Sequence, residues 1–123
     1  MEEWEVRVTD EFLGWFNTVD QESQALVSDA IDRLAAGGPQ LGRPLVDRIE
    51  GSQVHNMKEL RPASSGRSEL RILFVFDPWR SAILLVGGDK SGNWTGWYRT
   101  AIPRAERLYA EYVEEREQEE SRT

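Results

Sequence analysis

Two apolar runs constrain this chain more than anything else in it: "ELRILFVF" at residues 69–76 and "SAILLVGG" at residues 81–88, with "DPWR" between them. Both are dense in Ile, Leu, Val and Phe, and both have the length of a strand. An Asp-Pro start suits a tight reversal, so the pair is expected to form the central hairpin of a sheet. Every other segment then has to cover that sheet or extend it.

The remaining segments supply the means. "EWEVRVT" alternates Trp4, Val6 and Val8 against charged residues, as a half-buried strand does. Asp10 is placed to cap a short helix carrying Phe12, Leu13, Trp15 and Phe16, and Asp20 to cap a second, "QESQALVSDAIDRLAA". In the second helix Leu26, Val27, Ala30, Ile31 and Leu34 recur at helical spacing, and Gly37, Gly38 and Pro39 end it. The expected arrangement is an antiparallel helical hairpin. "GGPQLGRPL" reads as a connector, "VHNMKELR" as a strand stopped by Pro62, and "PASSGRS" as a polar loop. Pro103 suits a helix first turn, after which Ala105, Leu108, Tyr109, Tyr112 and Val113 share one face. Residues 115–123 are expected to fray as an acidic tail. The order is β-α-α-β-β-β-α, an α+β fold in two layers and a single domain over residues 1–123.

Composition narrows the classes. There are no cysteines among the 123 residues, so neither a disulfide framework nor a thiolate metal site is available. No apolar run approaches the roughly 20 residues of a membrane span. The start, "MEEWEVRV", lacks a signal-peptide pattern, and a cytoplasmic location is expected. The net charge of −7 is unevenly spread. Residues 1–39 hold nine acids and two bases, residues 40–108 seven acids and eleven bases, and residues 109–123 six acids and two bases. A basic middle between acidic ends is compatible with a polyanionic partner, and equally with a salt-bridged surface.

The middle segment also carries the residues suited to chemistry. Lys58 and Arg61 lie on "MKELRP" at opposite parity, so a regular strand sends them to opposite faces. Arg61 is also placed to pair with Glu59. Arg71 interrupts an apolar strand, where an unpaired cation is costly, and shares its face with Leu73 and Val75. It needs either a bound anion or a salt bridge to Glu69 or Glu59. Lys90 follows the next strand in "GGDKSG", and Arg67 sits in the polar loop. "GNWTGWYRT" concentrates Trp94, Trp97, Tyr98 and Arg99 on a glycine-rich stretch. Its rings can stack unpaired bases beside a phosphate-binding arginine, or pack as core. His55, the single histidine, is a candidate general base on no matching motif. Asp77 and Asp89 flank separate loops and make no metal cluster; no metal and no cofactor are expected.

Three stretches, in this order, resemble the RelE/ParE superfamily of toxins from type II toxin–antitoxin modules, in its HigB-like, phage-derived branch. They are "LGRPLVDRIEGSQVHNMKELR", "ELRILFVFDPWRSAILLVGGDKSGNW" and "IPRAERLYAEY". The resemblance implies the RelE-like toxin fold, with the helical hairpin across one side of a mainly antiparallel sheet. It implies a ribosome-dependent, metal-independent endoribonuclease that cuts mRNA, inhibits translation and is neutralised by a cognate antitoxin, a helix-turn-helix protein through which operator DNA is reached. Arg71 matches the family arginine that contacts the scissile phosphate. The catalytic candidates are therefore Arg71, Lys90, Tyr98, Lys58 and Arg61, with Arg67, Trp94, Trp97 and Arg99 as RNA contacts. Two tryptophans and a tyrosine before the last helix depart from the family pattern, which is polar and basic there. ParE-like relatives share the fold and inhibit DNA gyrase by binding, and a degenerate binding module is a third reading.

Overall fold

The computed structural model describes residues 3–122. Strand β1 (Glu5–Val8) leads into helix α1 (Asp10–Phe16) and helix α2 (Gln21–Gly37). Four strands follow, β2 (Val46–Arg48), β3 (Lys58–Leu60), β4 (Leu70–Phe76) and β5 (Ser81–Asp89), and then helix α3 (Trp94–Ser121). The sheet runs β1-β5-β4-β3-β2, with β1 parallel to β5 and every other pair antiparallel.

The two apolar runs are the central strands, and the reversal between them has a clear cause. Asp77 Oδ1 accepts from the backbone N–H groups of Trp79 (2.9 Å) and Ser81 (2.8 Å), and the Asp77 N–H donates to Ser81 O. Arg80 takes the positive φ, 65°, that this tight turn requires. Between Leu73 and Phe74 the register slips by one residue opposite Leu85. The bulge turns Leu85 and Val86 both toward one face, which an unbroken alternation would not allow.

The sheet is covered on both sides, so the molecule has three layers rather than the expected two. On one face Phe12 of α1 and Val27, Ala30 and Leu34 of α2 pack on Leu60, Ile72, Phe74, Ala82 and Leu84. On the other, Ala101, Ala105, Leu108 and Tyr112 of α3 pack on Leu73, Val75, Ile83 and Leu85. The adjacent glycines of β5 serve one face each. A Cβ at Gly87 would overlap the Trp15 ring, and one at Gly88 would overlap Trp97 Nε1. Each glycine lets a tryptophan lie directly on the backbone.

Several boundaries differ from the sequence reading. Thr9, not Asp10, caps α1: its Oγ1 accepts from Phe12 N at 3.0 Å. Asp20 caps α2 as expected, accepting from Ser23 N at 2.8 Å. A fifth strand, β2, forms after the connector because Val46–Arg48 pairs with Lys58–Leu60. "VHNMKELR" keeps only its last part as strand; Val54–Asn56 is turn. Helix α3 starts at Trp94, so Pro103 lies inside it rather than at its first turn. The acidic tail is helical through Ser121, held where Trp79 Nε1 donates to Glu120 and Arg116 stacks on Trp79 at 5.0 Å. Its last residue, Thr123, lies outside the described residues. Among the described residues no helix is long and apolar enough to cross a membrane.

Candidate active site

One end of the sheet, on the α3 side, gathers charges from three adjacent strands. Pairing sets Glu59 opposite Leu73 and Arg71 opposite Gly88, so both point to the α3 face. Arg61 is two residues beyond Glu59 and returns to that face. Lys90 is two residues beyond Gly88, and its backbone N–H extends the ladder to Glu69 O at 3.1 Å. The first turns of α3 close over this end with Trp94, Trp97 and Tyr98.

Glu59 is the hub. Only 3% exposed, it uses both carboxylate oxygens. Oε2 accepts from Arg61 Nε at 3.0 Å and Nη2 at 2.7 Å. Oε1 accepts from the Tyr98 hydroxyl at 2.6 Å and lies 3.9 Å from Arg71 Nε. Arg61 also reaches Asp47 at 3.1 Å, and Asp47 in turn holds the exposed Arg43. Two donors are left without a hydrogen bond within the protein once these bonds are made. Arg71 Nε is buried without a hydrogen bond, although its Nη1 donates to Leu70 O at 2.8 Å. The Lys90 ammonium, on a side chain only 4% exposed, lies 3.6 Å from the centre of the Trp94 ring and 5.4 Å from that of Tyr98. Those rings are its ligands; among the described residues it has no hydrogen-bonded or ion-paired partner.

The electrostatics follow from this packing. Burial, and then the positive charge of Arg71, pull the Lys90 pKa below its ordinary value. Burial, and then the hydrogen bond and negative charge of Glu59, push the Tyr98 phenol well above its ordinary value. Tyr98 is therefore a neutral proton donor at neutral pH. The arrangement suits a phosphate: two cationic groups with free donors, a third cation beside them, and a phenol within the same cluster.

Of the sequence candidates, Arg61, Arg71, Lys90 and Tyr98 come together. Trp94, 56% exposed, lies over Lys90, while Trp97 packs inward over Gly88 and edge-on to Tyr98 at 4.9 Å. Lys58 is not part of the cluster, because strand parity turns it to the Leu60 side of β3. Arg99 is exposed: one helical step from Tyr98, it lines a cleft with Gln53, Thr95 and Ile102 that Tyr98 also borders, and it makes no contact with Glu59, Arg71 or Lys90 among the hydrogen bonds and ion pairs of the described residues. Arg67 is exposed in the β3–β4 loop, and His55 in the turn before β3; neither contacts the cluster. The sequence reading treated Glu59 only as a salt-bridge partner. The alternation of Met57, Glu59 and Arg61 on one face was the available signal for its central place. Among the described residues no group of three or more His, Cys, Asp or Glu side chains is placed to hold a metal ion.

Comparison with known proteins bears on the family and the fold. The family profile "Phage derived protein Gp49-like (DUF891)" matches residues 14–110. Two Mycobacterium tuberculosis proteins named as toxins are each 54% identical to the chain. The match to HigB2 spans 99 residues, 80% of this chain and 49% of that protein; the match to HigB3 spans 92 residues, 75% and 78%. The chain thus spans about half the length of HigB2. In structure, a mutant of the E. coli toxin RelE in the free state superimposes with a TM-score of 0.61 at 10% identity, covering 83% of this chain and 97% of that one. That likeness shows a shared RelE-like fold.

Proposed function

The chain belongs to the phage-derived Gp49-like family, and from that premise we propose that it is the toxin of a toxin–antitoxin module, a ribosome-dependent endoribonuclease that cleaves mRNA and is silenced by a cognate antitoxin. The observation that carries the catalytic part is a pair of cationic donors without a hydrogen bond, Arg71 Nε and the Lys90 ammonium, beside a protonated tyrosine. Metal-free RNA cleavage needs what this cluster offers. The 2′-hydroxyl gives up its proton to solvent water as its oxygen attacks the adjacent phosphorus, the bond to the 5′-oxygen breaks, and a 2′,3′-cyclic phosphate and a 5′-hydroxyl result. Arg71 and Lys90 neutralise the crowded phosphorane, and Tyr98 protonates the departing 5′-oxygen. Trp94 offers its exposed face to a neighbouring base, and Arg61 adds positive potential behind the site. Arg67 and Arg99 lie outside the cluster and serve, in this reading, as phosphate contacts along the strand.

Induced expression is expected to stop growth by lowering translation, with growth restored when the antitoxin from the neighbouring reading frame is co-expressed. Unchanged growth and protein synthesis at confirmed soluble expression would remove the toxin reading. Relaxed or broken DNA with intact mRNA would assign the chain to the gyrase-directed class instead.

A further inference from the structure

The site described above is neutralised from within, and this bears on how it handles a phosphate. Arg61, Arg71 and Lys90 face one deeply buried carboxylate whose two oxygens are both engaged. A second carboxylate, Asp47, supports Arg61 from outside. Neither remaining donor is bonded to the carboxylate: Arg71 Nε stops 3.9 Å from Oε1, and the Lys90 ammonium lies against the Trp94 ring. An incoming phosphodiester brings one negative charge to this pair, close to the charge of Glu59.

We propose that Glu59 is the resident counter-anion of the site, a positioning residue that holds Arg61, Arg71 and Tyr98 in place while weakening the site's grip on phosphate. The proposal rests on the reading of this cluster as a phosphate site. Its two effects are physically separable. The hydrogen bonds to Arg61 and Tyr98 fix geometry, and an amide oxygen in the same position can still accept from Tyr98. The negative charge repels the phosphate and needs the carboxylate. With the charge present, the cations are held without the cost of unpaired burial, and a cleaved product meets a counter-charge that favours its release.

The test uses the intact protein and inorganic phosphate as the probe. Trp94, stacked on Lys90, is the reporter: phosphate at Lys90 draws the ammonium off the ring and changes its fluorescence, and the change is absent in Trp94→Phe. In Glu59→Gln, phosphate is expected to bind about tenfold more tightly, the scale of coupling between two charges sharing a site. Over the same comparison RNA cleavage is expected to fall, because the amide holds two guanidiniums less firmly. A folded Glu59→Gln protein with unchanged or weaker phosphate affinity overturns the proposal while leaving the phosphate site standing. No Trp94 response to phosphate in either protein overturns both. Should Glu59→Gln fail to fold, the wild-type protein decides: the Glu59 side-chain carboxyl ¹³C resonance, assigned through its backbone, is expected to move with the same midpoint as Trp94. A stationary resonance during a full Trp94 response contradicts the proposal.

Discussion

At the scale of single residues, the site is built from cations held in partly desolvated surroundings. Arg71 was legible in the sequence because a charge inside "ELRILFVF" demands a reason, and its Nε, long-range ion-paired to Glu59 yet without a hydrogen bond, shows both halves of that reason at once. Lys90 was legible only as a cation on a loop; that a tryptophan ring covers it depends on the next helix starting early. Two predictions follow from these positions. Arg71→Ala is expected to lose about 10²–10³ in cleavage rate while keeping a cooperative thermal melt, since its side chain meets Glu59 only at the long edge of an ion pair. An unfolded variant would mark Arg71 as a structural partner instead. Lys90→Met is expected to abolish cleavage and yet stabilise the fold slightly near neutral pH, because a partly desolvated ammonium with a lowered pKa is replaced by an apolar side chain that also suits an aromatic face. The sign with pH is fixed by the lowered pKa of Lys90. The unfolded chain keeps that proton to higher pH than the folded protein, so wild-type stability rises as pH climbs through the folded-state value toward the ordinary lysine range. The advantage of Lys90→Met should therefore shrink over that interval. Denaturant melts at several pH values check it, and a gap that widens with pH would contradict the assignment.

At the scale of elements, the hairpin, α2 and its Asp20 cap could be read from hydrophobic spacing, whereas the start of α3 could not. "GNWTGWYRT" has the composition of a loop, and nothing local forces it to be helical: Asn93 makes no side-chain cap bond. Tertiary packing decides the matter, as Trp97 lies on Gly88 and Tyr98 reaches Glu59. Pro103 is accommodated inside the helix because the buried face around and beyond it, Ala101, Ala105, Leu108 and Tyr112, outweighs one lost backbone bond. Gly88→Ala is accordingly expected to displace Trp97, cost about 1–3 kcal/mol and impair cleavage by moving Tyr98. A variant with wild-type stability and activity would show that this contact does not set the helix start. The far end of α3 is anchored by a similarly non-local bond. Tyr112 donates to Asp77 Oδ2, and Asp77 caps the β4–β5 turn with its other oxygen. Tyr112→Phe leaves a buried carboxylate oxygen short of a donor and is expected to destabilise by about 1–3 kcal/mol, measured by chemical denaturation, with cleavage per folded molecule unchanged.

At the scale of the molecule, the net charge of −7 and the proposed action on RNA are reconciled by topology. The sheet brings the basic middle of the chain to one end, where Arg61, Arg71 and Lys90 meet, while the acids of residues 109–123 lie along the last turns of α3 beside the β4–β5 turn. Charge summed along the sequence could suggest this separation but not its placement, which depends on strand parity and on a bulge invisible to composition. The central claim is that this one cationic end cleaves mRNA, and the most direct measurement maps RNA ends. A translating extract programmed with one defined mRNA is supplied with the purified wild-type protein or with Arg71→Ala, and the 5′ ends are read by primer extension. New ends within the translated region, carrying 5′-hydroxyls, produced by the wild type and lost in Arg71→Ala, are the expected result. Intact mRNA with the wild type, or the same cuts from both proteins, would contradict it.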